Sequence, residues 1–338
     1  MKLIVSSSPH ITYNHSTKSI MQDVCIALIP AVIASLFVFG LYPLVLIALC
    51  IGASVFGEYI FNVIRKKPVT TGDWSAVVTG LILGLNLPPV MPLYVPIIGG
   101  FFAIIIVKML FGGIGKNFAN PAMCARIFLV LAWGAAMTTY VKPIDLSKGI
   151  GELVKYFEYA FDWDALTGAT DAVTGATPMS FVKSGNLNSI NLLDMFLGKT
   201  GGSLGETSAL ALIVGGAYLV YKRIIDVRIP VIYIGTVALL TLCIKGGSFV
   251  LPSILGGGLM LGAIFMATDY STSPNTTPGV IIYSLMLGAL TVLIRLFSRM
   301  PEGVSFSILL MNIVAPLLDK YIVPRAFGQP KPVKEEAK

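Results

Sequence analysis

Long apolar stretches alternate with short polar connections along the whole chain. A helix that crosses the ~30 Å hydrocarbon core of a bilayer needs about 20 apolar residues. The third and eighth stretches are rich in glycine and end in proline or polar residues, so we expect them to be broken or tilted. The pattern predicts an all-α integral membrane protein with about ten transmembrane helices, at residues 24–40, 44–64, 76–91, 95–111, 122–141, 207–221, 229–245, 249–267, 279–297 and 304–322.

A long polar segment separates five predicted spans from the other five. An odd number of spans per half means that a homologous second half is inverted in the membrane. Residues 101–123 and 287–312 each combine an apolar helix, a basic residue before a Leu-Phe step and a glycine turn, which favours two inverted repeats. The expected organisation is an N-terminal segment at 1–23, a first five-helix repeat at 24–141, an external loop at 142–206, a second repeat at 207–322 and a tail at 323–338.

Composition agrees with a membrane protein, since 55% of the 338 residues are hydrophobic and 12% are charged, against about 25% charged in soluble domains. The net charge is +7, but the sequence shows no basic face with interleaved aromatic residues. Nucleic-acid binding requires such a face. The four cysteines form no CxxC pair, so we expect no iron–sulfur cluster in this chain. The first 20 residues lack the apolar core of a cleavable signal, and insertion by the first span is expected.

Lysine and arginine predict the orientation in the membrane. The short connections after the second, fourth and sixth spans and the C-terminal tail are basic, whereas Arg295 and Arg299 are exceptions. Cytoplasmic loops carry the excess of Lys and Arg. We therefore expect a multi-pass protein of the cytoplasmic (inner) membrane, with both termini in the cytoplasm and segment 142–206 on the external face.

A seven-residue sequence occurs twice in tandem in that segment, as DALTGAT at 164–170 and DAVTGAT at 171–177, before Pro178. Gly175 permits a positive φ angle, and Pro178 favours an extended conformation at Thr177. No His or Lys lies beside Thr177 to activate its hydroxyl. The segment is therefore either a plain surface turn or a substrate for chemistry supplied by another protein.

The second copy, Asp-x-x-Thr-Gly-Ala-Thr, resembles the acceptor sequence of bacterial flavin transferases, which attach FMN from FAD to the last Thr through a phosphoester. Almost the whole chain resembles one family, which includes the D-type subunit of the Rnf complex, the ion-translocating ferredoxin:NAD oxidoreductase, and the related B-type subunit of the sodium-pumping NADH:quinone reductase. The blocks that carry this resemblance are SSSPHI, STKSIMQDV, GDWSAVVTGLILGLNLPP, GGIGKNFANPAM, GAIFMATDYSTSPNTTPG and LLMNIVAPLLDKYIVPRAFG.

The resemblance implies that Thr177 carries covalent FMN and that Asp171, Thr174, Gly175 and Ala176 form the part read by a flavin transferase. Thr170 ends the first copy and is the alternative acceptor; Pro178 after Thr177 favours the second copy, and modification of both stays open. The resemblance also implies a second, non-covalent flavin, riboflavin or FMN, in the membrane body.

The same resemblance implies a subunit of an Rnf-type membrane complex that couples electron transfer from ferredoxin to NAD+ with Na+ or H+ translocation. This chain has no dinucleotide-binding pattern and no cluster ligands, so we expect it not to be catalytic alone. An inverted-repeat solute transporter or channel without a redox role is the alternative, and a non-redox membrane scaffold is a third hypothesis.

Several ionisable residues fall in or beside the apolar stretches. Asp269 is the candidate for the ion path, because Thr268, Ser271 and Thr272 supply neighbouring oxygens. A charge in mid-bilayer is costly and usually faces a cavity or a partner. Lys108 and Arg295 occupy matching repeat positions and are candidates for binding flavin phosphates or anionic headgroups, whereas Glu58, Asp319 and Arg126 are expected to reach the membrane interface.

Overall fold

The computed structural model describes residues 16–145, 150–159, 177–187, 190–298 and 303–323. All regular elements within these ranges are helices. The α-helical elements, two of which pass into π-helix, are α1 Thr17–Phe39, α2 Tyr42–Ile64, α3 Ser75–Leu85, α4 Tyr94–Met109, α5 Pro121–Ala132, α6 Gly134–Thr138, α7 Pro178–Ser184, α8 Leu192–Leu197, α9 Ala209–Tyr221, α10 Arg228–Lys245, α11 Val250–Leu255, α12 Leu259–Met266, α13 Thr277–Phe297 and α14 Val304–Tyr321.

Five of these helices, α1, α2, α10, α13 and α14, are long and apolar enough to cross a membrane. The bent pair formed by Gly247–Leu255 and Leu259–Met266 would make a sixth span. Four other predicted spans correspond to the shorter apolar helices α3, α4, α5 and α9. The fold is therefore that of an integral membrane protein, while ten spans in two inverted repeats stay a prediction.

Local signals explain where several helices begin. Helix α1 starts at Thr17, well before residue 24, because Ser16 accepts a hydrogen bond from the Ser19 N–H at 3.2 Å. A side-chain oxygen at this position satisfies one of the unpaired N–H groups of the first turn. Asn120 does the same for α5, accepting from the N–H groups of Ala122 and Met123 at 3.0 and 3.4 Å.

The third predicted span is broken, as expected from its proline and glycine content. Helix α3 ends at Leu85, and residues 86–92 continue as buried non-helical chain. Non-helical backbone is tolerated at membrane depth only where protein covers it and satisfies its polar groups. Here the carbonyls of Leu85 and Leu87 accept hydrogen bonds from the N–H groups of Gly205 and Leu204, at 2.6 and 3.0 Å.

The eighth predicted span is also broken, with a bend of 64° between α11 and α12. Gly257 and Gly258 form the break and have φ angles of 69° and 66°. These angles lie in the left-handed region, which glycine adopts without steric cost. The break at 256–258 therefore follows directly from the local sequence.

Close backbone contact joins the two halves of the chain. A Cβ added at Gly215 of α9 would lie 2.0 Å from the carbonyl oxygen of Ala27 in α1. Small residues permit such approach where lipid supplies no hydrophobic driving force. Next to this contact, the hydroxyl of Tyr218 donates to the Asp23 carboxylate at 2.7 Å.

The described parts of segment 142–206 gather at one end of the helices. Ile144 donates its N–H to the Val38 carbonyl at 2.8 Å, and the Leu153 carbonyl accepts from the Leu41 N–H at 2.9 Å. The basic residues 65–67 and 222–228 lie at the opposite end, where Arg228 donates to the Thr277 hydroxyl at 3.1 Å. We call the end that holds residues 144 and 153 the acceptor end, and the end that holds residues 65–67 and 222–228 the basic end.

Candidate functional site

Thr177, the predicted acceptor, lies at the acceptor end within the described residues. It precedes α7 with φ −76° and ψ 154°, the extended conformation predicted from Pro178. Its Oγ1 accepts from the Ser180 N–H at 3.3 Å, and its own carbonyl accepts from the Ser180 hydroxyl at 2.7 Å. The residue is only 9% exposed, so its hydroxyl is covered while α7 keeps this position.

The remaining predicted acceptor residues lie outside the described residues. These are the alternative acceptor Thr170 and the motif residues Asp171, Thr174, Gly175 and Ala176. Their roles stay predictions.

Helix α7, which we call the acceptor helix, rests on the broken span of the second half. Met179 is buried, and its methyl group lies 2.8 Å from the position that a Cβ on Gly257 would occupy. At the far end of α7, Lys183 donates to the Ser298 carbonyl at 3.1 Å. The acceptor helix therefore connects Thr177 with the break at 256–258 and with the end of α13.

Arg295 holds the same break from the other side. Its guanidinium donates to the carbonyl oxygens of Ser253, Gly256 and Gly257 at 2.6, 3.0 and 3.1 Å. These carbonyls lose helical partners where the helix is interrupted, and a buried carbonyl needs a donor. Arg295 thus replaces the missing backbone N–H groups.

Lys108, the other residue of the predicted matching pair, has different partners. Its ammonium group donates to Glu58 Oε2 at 2.8 Å and to Ser75 Oγ at 2.6 Å. The side chains of Lys108 and Glu58 are only 3% and 1% exposed. Glu58 is therefore half of a buried ion pair, and the expectation that it reaches the membrane interface was wrong.

Arg126 is also buried, at 4% exposure. It donates to Asn86 Oδ1 at 2.6 Å, immediately after the end of α3. Asp319 is half-buried and accepts from the N–H and the side-chain amide of Asn275 at 3.0 and 2.9 Å. Sequence position alone did not reveal these partners, because each lies far along the chain.

A cleft of about 770 Å³, including its open mouth, lies at the basic end. Its walls are mostly apolar, and its polar groups include Lys108, Asn117 and Thr79. Ligand sites commonly combine apolar walls with a few polar groups in this way. Side chains from both halves line it, including Ile20, Met21, Val24, Val78, Ile82, Leu219, Ile224, Ile225 and Phe265.

Asp269, the predicted ion-path residue, borders this cleft together with Thr268 and Ser271. Its Oδ2 accepts from the hydroxyls of Ser271 and Thr272 at 3.0 and 3.3 Å. The Thr268 hydroxyl instead donates to the Ile264 carbonyl at 2.7 Å. The structure thus brings three of the four predicted oxygen-bearing side chains together and turns Thr268 back along its own helix.

Comparison with known proteins finds relatives over the full length of the chain. A profile of the NQR2, RnfD, RnfE family matches residues 4–328. The chain is 46% identical to the D-type subunit of the Na(+)-translocating ferredoxin:NAD(+) oxidoreductase complex of Acetobacterium woodii, covering 100% of this chain and 99% of that protein.

Two further relatives carry related names. The D-type subunit of the proton-translocating ferredoxin:NAD(+) oxidoreductase complex of Clostridium ljungdahlii is 42% identical, with 96% of each chain covered. The D-type subunit of the ion-translocating oxidoreductase complex of Vibrio cholerae is 35% identical, with 97% of this chain and 100% of that protein covered. The chain therefore belongs to the NQR2, RnfD, RnfE family.

Proposed function

We propose that the chain is a membrane subunit of an Rnf-type complex and carries FMN esterified through its phosphate to Thr177. In this role it helps to couple electron transfer from ferredoxin to NAD+ with the movement of Na+ or H+. The observation that carries the proposal is the position of Thr177: it ends the tandem motif and starts a helix that rests on the membrane body. The names of the full-length relatives support the same complex.

Thr177 would supply the oxygen of the new phosphoester. In that step its hydroxyl oxygen bonds to the phosphorus on the FMN side of FAD, AMP leaves, and the transferase accepts the hydroxyl proton. Because Thr177 is 9% exposed and its Oγ1 faces the Ser180 N–H, the first turn of α7 must open before the transferase reaches it. Attachment would then precede the final docking of the acceptor helix.

The cleft at the basic end is our proposed site for the second, non-covalent flavin. A bound flavin supplies one- and two-electron chemistry. The chain would provide the apolar walls Val78, Ile82 and Phe265 for a ring system, with Asn117 and Thr79 as polar contacts. This cleft and Thr177 lie at opposite ends of the helices, so electrons passing between them would cross the membrane body.

Asp269 would take part in ion uptake at this cleft. Negative charge gained within a low-dielectric cleft raises the affinity of a nearby carboxylate for a cation or a proton. The Asp269 carboxylate borders the cleft. Relatives at 46% and 42% identity are named for Na(+) and for protons respectively, so overall similarity does not select the ion.

We also propose that the membrane body consists of ten spans in two inverted repeats. Both halves contain a broken span, at 86–92 and at 256–258, and each is preceded by a 3₁₀ turn, Thr71–Asp73 or Gly247–Phe249. Broken helices at corresponding places in two halves are typical of transporters. This likeness keeps a transporter or channel without a redox role as the alternative function.

Vesicles containing the whole complex test the proposed function against this alternative. In the Thr177→Ala variant, we expect ferredoxin-dependent NAD+ reduction and the accompanying ion gradient to be lost together, whereas Thr170→Ala retains both. Asp269→Asn should lower the ions moved per electron, and Asp226→Asn, an exposed acid at the basic end, should not. A Thr177→Ala complex that still reduces NAD+ and moves ions would favour the transporter hypothesis.

Flavin counting tests the cleft separately. Val78 is 9% exposed and lines the cleft, so the Val78→Trp variant should fill it. This variant should lose the acid-extractable flavin and keep the covalent flavin. Leu131→Trp adds the same bulk at a position that is 69% exposed and should keep both flavins. Extractable flavin that survives in Val78→Trp would place the second site elsewhere.

A further inference from the structure

A recess at the acceptor end lies between the acceptor helix and helices α10, α11 and α13. Of the described residues that line it, Lys183, Lys245 and Arg295 are cationic and none is acidic. The other side chains are mostly apolar, with Thr241 and Ser253 as the hydroxyl groups. The apolar lining consists of Met179, Val182, Val292 and Leu296.

Arg295 lines this recess and has an unsatisfied donor. The residue is 5% exposed, and its Nε has no hydrogen-bond partner, although its other nitrogens reach backbone carbonyls. No carboxylate of the described residues lies within ion-pair distance of it. A buried guanidinium normally engages its donors and a counter-charge, since leaving either unmet costs free energy. Arg295 thus has no direct counter-ion among the described residues, and carbonyl dipoles together with the more distant Glu206 carboxylate compensate its charge in part.

The two lysines add to this positive charge. Partial burial and the neighbouring Arg295 lower the pKa of Lys183, whose ammonium also donates to the Ser298 carbonyl at 3.1 Å. Lys245 lies in the last turn of α10, 5.9 Å from the centre of the Phe249 ring. An anion in the recess would therefore meet two ammonium groups and a guanidinium along its lining.

We propose that the recess binds a phosphodiester monoanion that carries an apolar substituent. Charge-assisted hydrogen bonds from Arg295 Nε and the lysine ammonium groups would hold the phosphate, and the apolar lining would hold the substituent. Two sources share this chemistry: a phospholipid of the surrounding membrane, and the phosphodiester that would join FMN to Thr177. The binding site itself does not depend on flavin attachment, whereas the second source rests on the proposed function.

Phospholipid is accessible here because α10 and α13 carry exposed apolar side chains next to the recess. Leu242 and Leu293 are each 54% exposed, and Phe297 is 82% exposed. An acyl chain leaving the recess would therefore follow apolar protein surface. The flavin source is accessible because Met179, only two residues after Thr177, lines the same recess.

The test is native mass spectrometry of the full-length chain in detergent with added phosphatidylglycerol, compared with diacylglycerol, which lacks the phosphodiester and should not be retained. The double variant Lys183→Gln/Lys245→Gln removes two charges, and Lys199→Gln removes one exposed charge at the same end outside the recess. Arg295 is not substituted, because it also holds the break at 256–258. Size exclusion checks folding, and Lys245→Gln alone serves if the double variant aggregates.

A phospholipid source predicts one retained phosphatidylglycerol in the wild type and in Thr177→Ala. Its affinity should fall by roughly tenfold or more in the double variant, in proportion to the lost charge-assisted bonds, and stay unchanged in Lys199→Gln. A flavin source predicts no retained lipid in the wild type and a changed midpoint potential of the covalent flavin in the double variant only. If the double variant alters neither lipid retention nor the flavin potential, the proposal is overturned.

Discussion

Breaking the buried pair of Lys108 and Glu58 should destabilise the protein strongly. Lys108→Met removes an ammonium group that lies 2.8 Å from Glu58 Oε2 and 2.6 Å from Ser75 Oγ. Glu58 would keep the hydrogen bond from the Thr70 hydroxyl at 2.5 Å but would lose its counter-charge. Its side chain is 1% exposed, so water does not replace the lost partner.

The expected loss follows from the cost of leaving one buried charge unpaired, about 3–5 kcal/mol. At about 2 °C per kcal/mol for a large chain, this lowers Tm by roughly 6–10 °C. Size exclusion with fluorescence detection, after heating the detergent-purified chain in steps, measures the midpoint. Lys222→Met is the matched control, because that lysine is 40% exposed at 3.7 Å from Asp23. Asp23 keeps the hydrogen bond from the Tyr218 hydroxyl, so the loss of the exposed ammonium group should cost about 0–1 kcal/mol.

The double variant Glu58→Gln/Lys108→Met separates pairing from packing. Because it leaves neither charge unpaired, its Tm should lie above that of either single variant. A single Lys108→Met variant with the wild-type Tm, or a double variant less stable than both singles, would refute the reasoning.

Two further stability predictions follow from the helix contacts. Gly215→Ala should separate α1 from α9 and lower Tm by several degrees, since its Cβ would lie 2.0 Å from the Ala27 carbonyl oxygen. In the control Gly235→Ala the new Cβ meets no atom within 4 Å, so this variant should be neutral or stabilising. Equal Tm values for the two variants would contradict this. Asn120→Ala should cost about 1 kcal/mol by removing the cap of α5, and an unchanged Tm would show that the cap is dispensable.

Features that depend on neighbouring residues could be predicted from the sequence. The glycine content and the proline or polar ends of the third and eighth predicted spans indicated breaks, and both occur. The cap of α5 is equally local, since Asn120 Oδ1 accepts from the N–H groups two and three residues later. In each case the physical cause, a permitted φ angle or an unpaired N–H group, acts within a few residues.

Features that depend on distant residues could not be predicted in this way. Glu58 and Lys108 are 50 positions apart, and their separate charges gave no sign that they meet. The docking of Met179 on Gly257 likewise depends on how segment 142–206 folds back over the second half. The end of α5 at Ala132, short of the predicted residue 141, reflects the turn at Trp133 that the apolar pattern concealed.

The attachment of flavin to Thr177 is the central claim, and intact mass with in-gel flavin fluorescence of the denatured protein tests it most directly. The chain is purified from its own host, beside Thr177→Ala and Thr170→Ala. Our account predicts one added FMN, with fluorescence that survives denaturation and disappears in Thr177→Ala only. If the fluorescence is lost in Thr170→Ala instead, the acceptor lies in the first copy of the motif. A wild-type protein made in the presence of the transferase that carries no covalent flavin would contradict the account.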